Sequence, residues 1–451
     1  MQVTIIGGGS YQWSPKLMAD LLGTPSLGGV HLVLADIDAR PLPKMEALFH
    51  RINDAFDAKA TVATTTDQRA ALDGADYVVV TISTGGFASM AVDLDVPARH
   101  GIRQSVGDSV GPGGINRSLR NVPVLVGIAR DMEECCPGAL MLNITNPMTC
   151  LTRAVNRETS ITAVGLCHEV GNYCLDVAIA FGTRWEAVRP TVSGVNHFPV
   201  VTALDVDGSD GLALLRELTE EQGGADALAA SVHEPAEPFT RVDFARRHVL
   251  SLTLLERWGA LPAAGDRHLA EFLPSVLTEE SRWGAAWGIE LTPISQREDH
   301  QLGYIADVDA ILAGEQPLAT HPSGELVAPV LDSLLTGTRR EAPLNLPNVG
   351  QCPDLPADAV VESICVVDGE GVQGRDRARV PAPLAEVLRR QVATQELTVE
   401  AAVSGDRRVT LAAFAIDPLA GRGDLRTTEA MAEELLAGTA RWLPQFDAAP
   451  C

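Results

Sequence analysis

The chain has 451 residues, 46% hydrophobic and 21% charged, with 35 Lys and Arg against 59 Asp and Glu and a formal charge of −24. That length suits two domains of a soluble globular protein, and the acidic balance argues against binding bare nucleic acid or an anionic membrane surface. No run reaches the roughly 18–20 apolar residues of a membrane span, and the first seven residues lack the basic flank of a signal peptide. The eight cysteines show no disulfide-framework spacing. The expectation is a cytoplasmic chain with reduced thiols.

In chain order, residues 3–6 read as a strand, 14–22 as a helix and 30–35 as a strand ending at Asp36. Residues 43–55 read as a helix, 61–65 as a short strand and 77–82 as a buried strand. Next come a helix over 122–135, a strand over 140–143, a helix over 149–157 and a strand over 161–166. This alternation predicts an α/β fold, a Rossmann-type doubly wound parallel sheet with its ligand crevice at the carboxyl ends of the strands. Near residue 190 the pattern changes: 191–196 and 200–206 alternate like an antiparallel hairpin. A helix-rich stretch follows to about 340, with loops near 223 and over 313–325, then strands near 359–367 and 410–415. The expected division is a dinucleotide-binding domain over 1–190 and an α+β catalytic and oligomerisation domain over 191–451.

Gly7-Gly8-Gly9-Ser10 follows the first strand and precedes a helix, so backbone amides and a helix N-terminus can cradle a pyrophosphate. Asp36 ends the second strand, where a carboxylate binds the ribose diol of NAD; its plainer role is a cap for the next helix.

Four further segments stand where the crevice should be. They are Gly107-Asp108-Ser109-Val110-Gly111-Pro112-Gly113-Gly114-Ile115-Asn116-Arg117, Asn143-Ile144-Thr145-Asn146-Pro147-Met148, Gly165-Leu166-Cys167-His168-Glu169-Val170 and Gly194-Val195-Asn196-His197-Phe198. Each alone is ordinary: Asn146-Pro147 a turn, Cys167 a core thiol, His197 a satisfied histidine. Together they offer a thiolate, imidazoles, carboxylates and amides on one rim, a set suited to a divalent transition ion.

In this order and spacing the blocks resemble glycoside hydrolase family 4, clearly over residues 1–200 and more weakly beyond. The resemblance implies a lactate/malate dehydrogenase-like fold, a catalytic NAD and usually Mn2+, and a homodimer or homotetramer. It implies Cys167 and His197 as metal ligands, with Asn146, His168 and Glu169 at the sugar. Gly265-Asp266-Arg267-His268-Leu269-Ala270-Glu271-Phe272 resembles the block with the base that takes the sugar's C2 proton, here Asp266, whose ordinary reading is a surface helix cap. Asp108 matches an acidic position near the leaving group and is the expected general acid, with His168 second. The implied route oxidises C3 by hydride transfer to the nicotinamide, removes the acidified C2 proton, eliminates the C1 leaving group, adds water and returns the hydride.

Cys167-His168-Glu169-Val170 resembles the family members that act on unphosphorylated glycosides, and Glu169 would also repel a phosphate, and less strongly a uronate, if it faces the pocket. A neutral α-glucoside or α-galactoside is therefore expected, with a glucuronide or galacturonide as the alternative and Arg103, Arg117 and Arg297 as possible anion clamps. The rivals are a 2-hydroxyacid dehydrogenase, which has a shorter chain and no thiolate–imidazole pair, and a nucleotide-binding regulator, which has no use for the polar rim.

Overall fold

The computed structural model describes residues 1–230, 239–375 and 377–446. Its first half supplies six parallel strands: β1 (Gln2–Ile6), β2 (His31–Ala35), β3 (Thr61–Thr65), β4 (Tyr77–Val80), β5 (Leu140–Asn143) and β6 (Ala163–Leu166). They lie in the order β3-β2-β1-β4-β5-β6, the doubly wound arrangement. Successive residues explain why both faces are covered. On β4, Val78 and Val80 pack into one core cluster and Val79 into another; on β2, Val33 faces the first while Leu32 and Leu34 face the second. Alternate side chains point to opposite faces, so near-continuous apolar strands demand helices on both sides.

The second half extends the same sheet antiparallel. β7 (Val188–Val195) and β8 (Phe198–Val206) form the expected hairpin, with β9 (Ser209–Asp210) and β10 (Leu261–Pro262) on β8. β11 (Arg340–Pro347) pairs with β6 on one side and with β12 (Val360–Asp368) on the other; β13 (Gly371–Gly374) edges β12. Because β12 pairs with β7, one sheet runs from β3 to β10.

Three sequence expectations fail here for local reasons. The helix expected from residue 122 begins at Gly111 and runs to Cys135, so the glycine-rich block is partly helical. Pro112 sits in its first turn, where a missing N–H costs nothing. A Cβ on Gly113 or Gly114 would lie 2.7 Å from the Gly107 carbonyl oxygen or 2.5 Å from the Ser109 carbonyl carbon, so close packing demands these glycines. Residues 410–415 are helical within Arg407–Ile416: Thr410, Ala413 and Phe414 share one buried stripe at helical spacing, and Asp406 caps the start. Near 223 the loop is only Gln222-Gly223-Gly224, leading into the helix Ala225–Ala230.

One buried ion pair bears on the site. The helices Gly86–Arg99 and Gly111–Cys135 are tied by Arg120 Nη1 donating to Asp93 Oδ1 at 2.9 Å, with Asn116 Nδ2 donating to the same oxygen at 2.8 Å. Both charged side chains are essentially sealed from solvent. The segment between these helices carries Asp108, so the pair fixes the ends of a functional loop. Among the described residues no helix is long and apolar enough to cross a membrane.

Candidate active site

A cleft of about 1350 Å³ opens at the carboxyl ends of β1, β5 and β6. Gln12 and Trp13 line it from the glycine turn, Asn146 from beyond β5, and Cys167, His168 and Glu169 from beyond β6. Asp108, Asp266, Arg267, His268, Arg297 and Glu325 are among the polar residues of its wall, with His197 from the β7–β8 turn. That two-residue turn, Asn196-His197, holds His197 at φ 65°, a left-handed conformation that histidine adopts more readily than most residues. The price is modest strain; the result is an imidazole held at the crevice instead of along a strand.

The centre is a group the sequence did not assemble. Asp108, His197 and His268 each place a potential ligand atom within 4.8 Å of the others. The His197 and His268 rings are stacked, centroids 3.8 Å apart and tilted by 31°. Ser109 Oγ donates to Asp108 Oδ1 at 2.7 Å and lies 2.9 Å from His197 Nδ1. With its one proton committed to the carboxylate, the hydroxyl accepts from Nδ1–H, which leaves the Nε2 lone pair of His197 free. His268 Nδ1 is buried without a hydrogen-bond partner. Two imidazoles with open nitrogens beside a carboxylate fit a divalent transition ion. Cys167 lies on the same cleft but outside this group.

The other expected residues fall as follows. The Asn146 backbone oxygen accepts from Arg117 Nε at 3.0 Å and Asn121 Nδ2 at 3.2 Å, while its side-chain Oδ1 is buried and unpartnered. His168 Nδ1 lies 3.3 Å from Glu325 Oε1, an acid from a segment read as a loop. Glu169 Oε2 accepts from the Gly265 backbone N–H at 2.6 Å. Asp266 is buried, not a surface cap, and Asp266 Oδ2 accepts from Leu250 N at 2.6 Å while Oδ1 accepts from Ser251 N and Ser251 Oγ, both at 3.1 Å. It thus caps the helix Val249–Trp258 from a distance and keeps one lone pair on Oδ2. Of the three arginines, Arg297 lines the cleft and donates to the Val106 oxygen at 2.7 Å; Arg103 instead lies over the Trp283 ring at 5.3 Å.

At the glycine turn, Gly9 N donates to Asp36 Oδ2 and Asp38 N to Asp36 Oδ1, each at 3.0 Å. Ser10 Oγ accepts from Trp13 N at 3.1 Å, and Ser14 Oγ donates to the Gly8 oxygen at 2.8 Å, so the turn is bonded directly to the start of the helix Ser14–Gly23. Gly7, Gly8, Gly9, Ser10 and Asp36 therefore meet at one strand-to-helix corner of the kind that faces a dinucleotide, with the Gly7 and Gly8 amides bonded to the Ala35 oxygen and the Ser10 amide to the Gly7 oxygen.

Comparison with known proteins decides the family. The model for "Family 4 glycosyl hydrolase" matches residues 2–180, and that for the family 4 C-terminal domain matches residues 192–420. The chain belongs to family 4 of the glycosyl hydrolases. It is 33% identical to an alpha-galacturonidase of Bacillus subtilis over 93% of each chain, and 29% identical to an alpha-galactosidase of the same organism over 99% of each. A solved Bacillus subtilis glucosidase structure superposes with a TM-score of 0.87 at 31% identity, covering 97% of this chain and 99% of that one. A gut-microbial 6-phospho-alpha-glucosidase, solved with NAD and Mn2+, gives 0.78 at 19% identity over 98% and 99% of the two chains. A malate dehydrogenase of Plasmodium falciparum shares the fold at a TM-score of 0.52 and 11% identity, covering 91% of this chain and 99% of that one.

This family 4 enzyme sets its charges sharply. Burial would raise Asp108, but His268, His197 and Arg117 outweigh it and hold the carboxyl at about 2. Burial, with His268 beside it, lowers His197 to about 3, so the imidazole is neutral. Asp108 is thus held as the carboxylate at neutral pH in the ion-free protein. His168 is raised by its hydrogen bond to Glu325, against its own burial. Burial opposes ionisation of Glu169, but His268, His197 and the Gly265 N–H win, and its pKa is lowered. Burial also pushes the Cys167 thiol well up, helped by Glu362 and Glu169.

Glu271 and Glu362 are sealed in, and burial raises each to about 8. Unfolded, both would release their protons near 4.3. Between those values the folded state holds protons that the unfolded state has lost, so stability falls as pH rises and levels off above 8. His197 works oppositely, but only below about 6.5. Between pH 6.5 and 8 the metal-free enzyme should therefore lose melting temperature, each extra proton contributing about 1.4 kcal/mol per pH unit. Calorimetric scans across that window check it; a melting temperature that climbs with pH would contradict the burial of these two acids.

Proposed function

We propose that this glycoside hydrolase cleaves an unphosphorylated α-glycoside, an α-glucoside or α-galactoside, using NAD and a divalent transition ion, Mn2+ first. The observation that carries the sugar class is Glu169, an ionised carboxylate on the cleft wall directly after Cys167-His168. It would repel a phosphate at the sugar's C6. Gly7, Gly8, Gly9, Ser10 and Asp36 would seat the NAD. His197 would hold the ion, with Asp108 and His268 beside it and Cys167 as the family's second ligand. Bound there, the two groups supply a reversible hydride acceptor and a Lewis acid.

The chain's own residues divide the remaining work. The unpartnered Asn146 Oδ1 accepts from a sugar hydroxyl. Asp266, whose burial raises its pKa and makes it a stronger base than an exposed carboxylate, takes the C2 proton on the free lone pair of Oδ2. His168, raised by Glu325, gives a proton to the leaving group in place of the ionised Asp108. Residues 1–190 would form the NAD-binding domain and also bring Asn146, His168 and Glu169 to the sugar, while residues 191–451 would supply His197, Asp266 and the contacts of a cytoplasmic homodimer or homotetramer. A uronide is the second reading, favoured by Arg246, Arg267 and Arg297 on the cleft wall.

The test is nitrophenol release from α-glucoside, α-galactoside, α-galacturonide and 6-phosphoglucoside nitrophenyl substrates, with and without NAD and Mn2+. Turnover of a neutral glycoside that needs both additions, with no NADH accumulating, is expected. Faster turnover of the uronide would transfer the assignment to the second reading, and NADH without nitrophenol would end both.

A further inference from the structure

Asp108 and His268 come from opposite halves of the chain, so something must hold them together. Glu271 stands three residues beyond His268, in the turn Ala270–Phe272. Its Oε1 accepts from Val106 N at 2.7 Å and Gly107 N at 2.8 Å, with Ser105 Oγ at 3.4 Å. The residue is 1% exposed, and its Oε2 is buried without a partner. Glu271 itself is not on the cleft wall, whereas Asp108, one residue past Gly107, is. Around this bond the same segment is tied down again: Ser105 Oγ donates to the Arg267 backbone oxygen, and Thr292 N and Oγ1 donate to the Ser105 oxygen at 3.0 and 2.9 Å.

We infer that Glu271 is a positioning residue of the active site: by holding the Val106 and Gly107 amides it sets Asp108 against His268 and His197. Two consecutive N–H groups converging on one carboxyl oxygen fix both the place and the direction of the loop that follows them. A carboxyl buried with one oxygen unpartnered costs stability, and the bonds from Val106 N and Gly107 N to its other oxygen are what hold it in place. The inference rests on the proposed ion site, since the geometry it enforces is that of the ligand group. What Glu271 contributes is reach, not charge, because both bonds need only an acceptor oxygen at the right distance.

Two substitutions separate reach from charge. Glu271→Gln keeps an acceptor oxygen at the same distance; Glu271→Asp keeps the carboxyl but shortens it by one methylene. Mn2+ affinity, measured by electron paramagnetic resonance on folded protein, should fall about 10–100-fold in Glu271→Asp and stay within about threefold in Glu271→Gln. In an Asp108→Asn background Glu271→Asp should add almost nothing, because both changes spoil one element. In ion-free protein, amide exchange over residues 105–109 should quicken in Glu271→Asp alone. If exchange there is unchanged, or the glutamine variant is the worse of the two, the inference is overturned whatever the ion does. Additive losses in the double variant would overturn it as well. A wild type that takes up no Mn2+ while exchange follows the expected order would instead sink the ion site and leave the clamp standing.

Discussion

Replacing His197 with alanine should lower turnover by at least about 10³-fold and abolish tight Mn2+ binding, while leaving the fold intact. The size follows from where the ring stands. It shares the ligand group with Asp108 and His268, stacks on His268, and lies 2.9 Å from the Ser109 hydroxyl that is bonded to Asp108. A group acting directly on an ion or a reacting atom carries about 10²–10⁴-fold of rate, and alanine leaves no ligand nitrogen at this position. Stability should fall modestly, since alanine relieves no strain at φ 65° and the change empties a buried site stacked on His268. Ser109→Ala is the graded partner: it removes the bond to Nδ1 but no ligand, so a loss of about 10–100-fold is expected. Kinetics at saturating Mn2+, set beside direct ion titration, separate the two. Near-normal ion affinity in His197→Ala would move the ion to Cys167 and away from this ring.

Much of this was legible before any coordinates. The glycine turn, Asp36 and the β7–β8 hairpin follow from local pattern, because strand periodicity and the strand-to-helix turn are short-range properties. So does the position of Cys167-His168-Glu169 just beyond a buried strand. What could not be read is which residues from distant segments meet. His268 stood in a quoted block, yet only the packing of the turn after β10 against the 105–108 segment brings it to Asp108. β11 was missed because Pro343 and Pro347 weaken the strand pattern, although both lie within a fully paired strand. Glu271 lay within the block 265–272 without any sign of its own role, and Glu325 carried no local signal: an isolated glutamate reads as solvated surface. The charge of Asp108 could not be read from its own block either, since the groups that lower its pKa, His268, His197 and Arg117, come from other elements.

Gly7→Ala should damage stability and cofactor binding together, and comparison with its neighbours shows why. An added Cβ at Gly7 would stand 1.9 Å from the Thr81 backbone oxygen and 2.7 Å from its carbon, and the residue sits at φ 93°. Neither atom can rotate away, so the turn must lift off β4, at a cost of about 3 kcal/mol or more once backbone strain is included. At Gly9 the Cβ would instead meet Pro41 Cγ at 2.4 Å and Asp36 Oδ2 at 2.8 Å, both side-chain atoms. Gly9→Ala should therefore shift Asp36 and weaken NAD binding at a smaller cost in melting temperature. Gly29→Ala, where nothing lies within 4 Å, is the silent control. Melting curves and NAD fluorescence titrations on the three variants give an ordered expectation: both properties fall at Gly7, binding chiefly at Gly9, neither at Gly29. If Gly7→Ala melts low yet binds NAD normally once folded, the turn is a packing corner and the pyrophosphate lies elsewhere. Joint loss at Gly7 with selective loss at Gly9 follows only if Asp36 and the turn hold the same ligand.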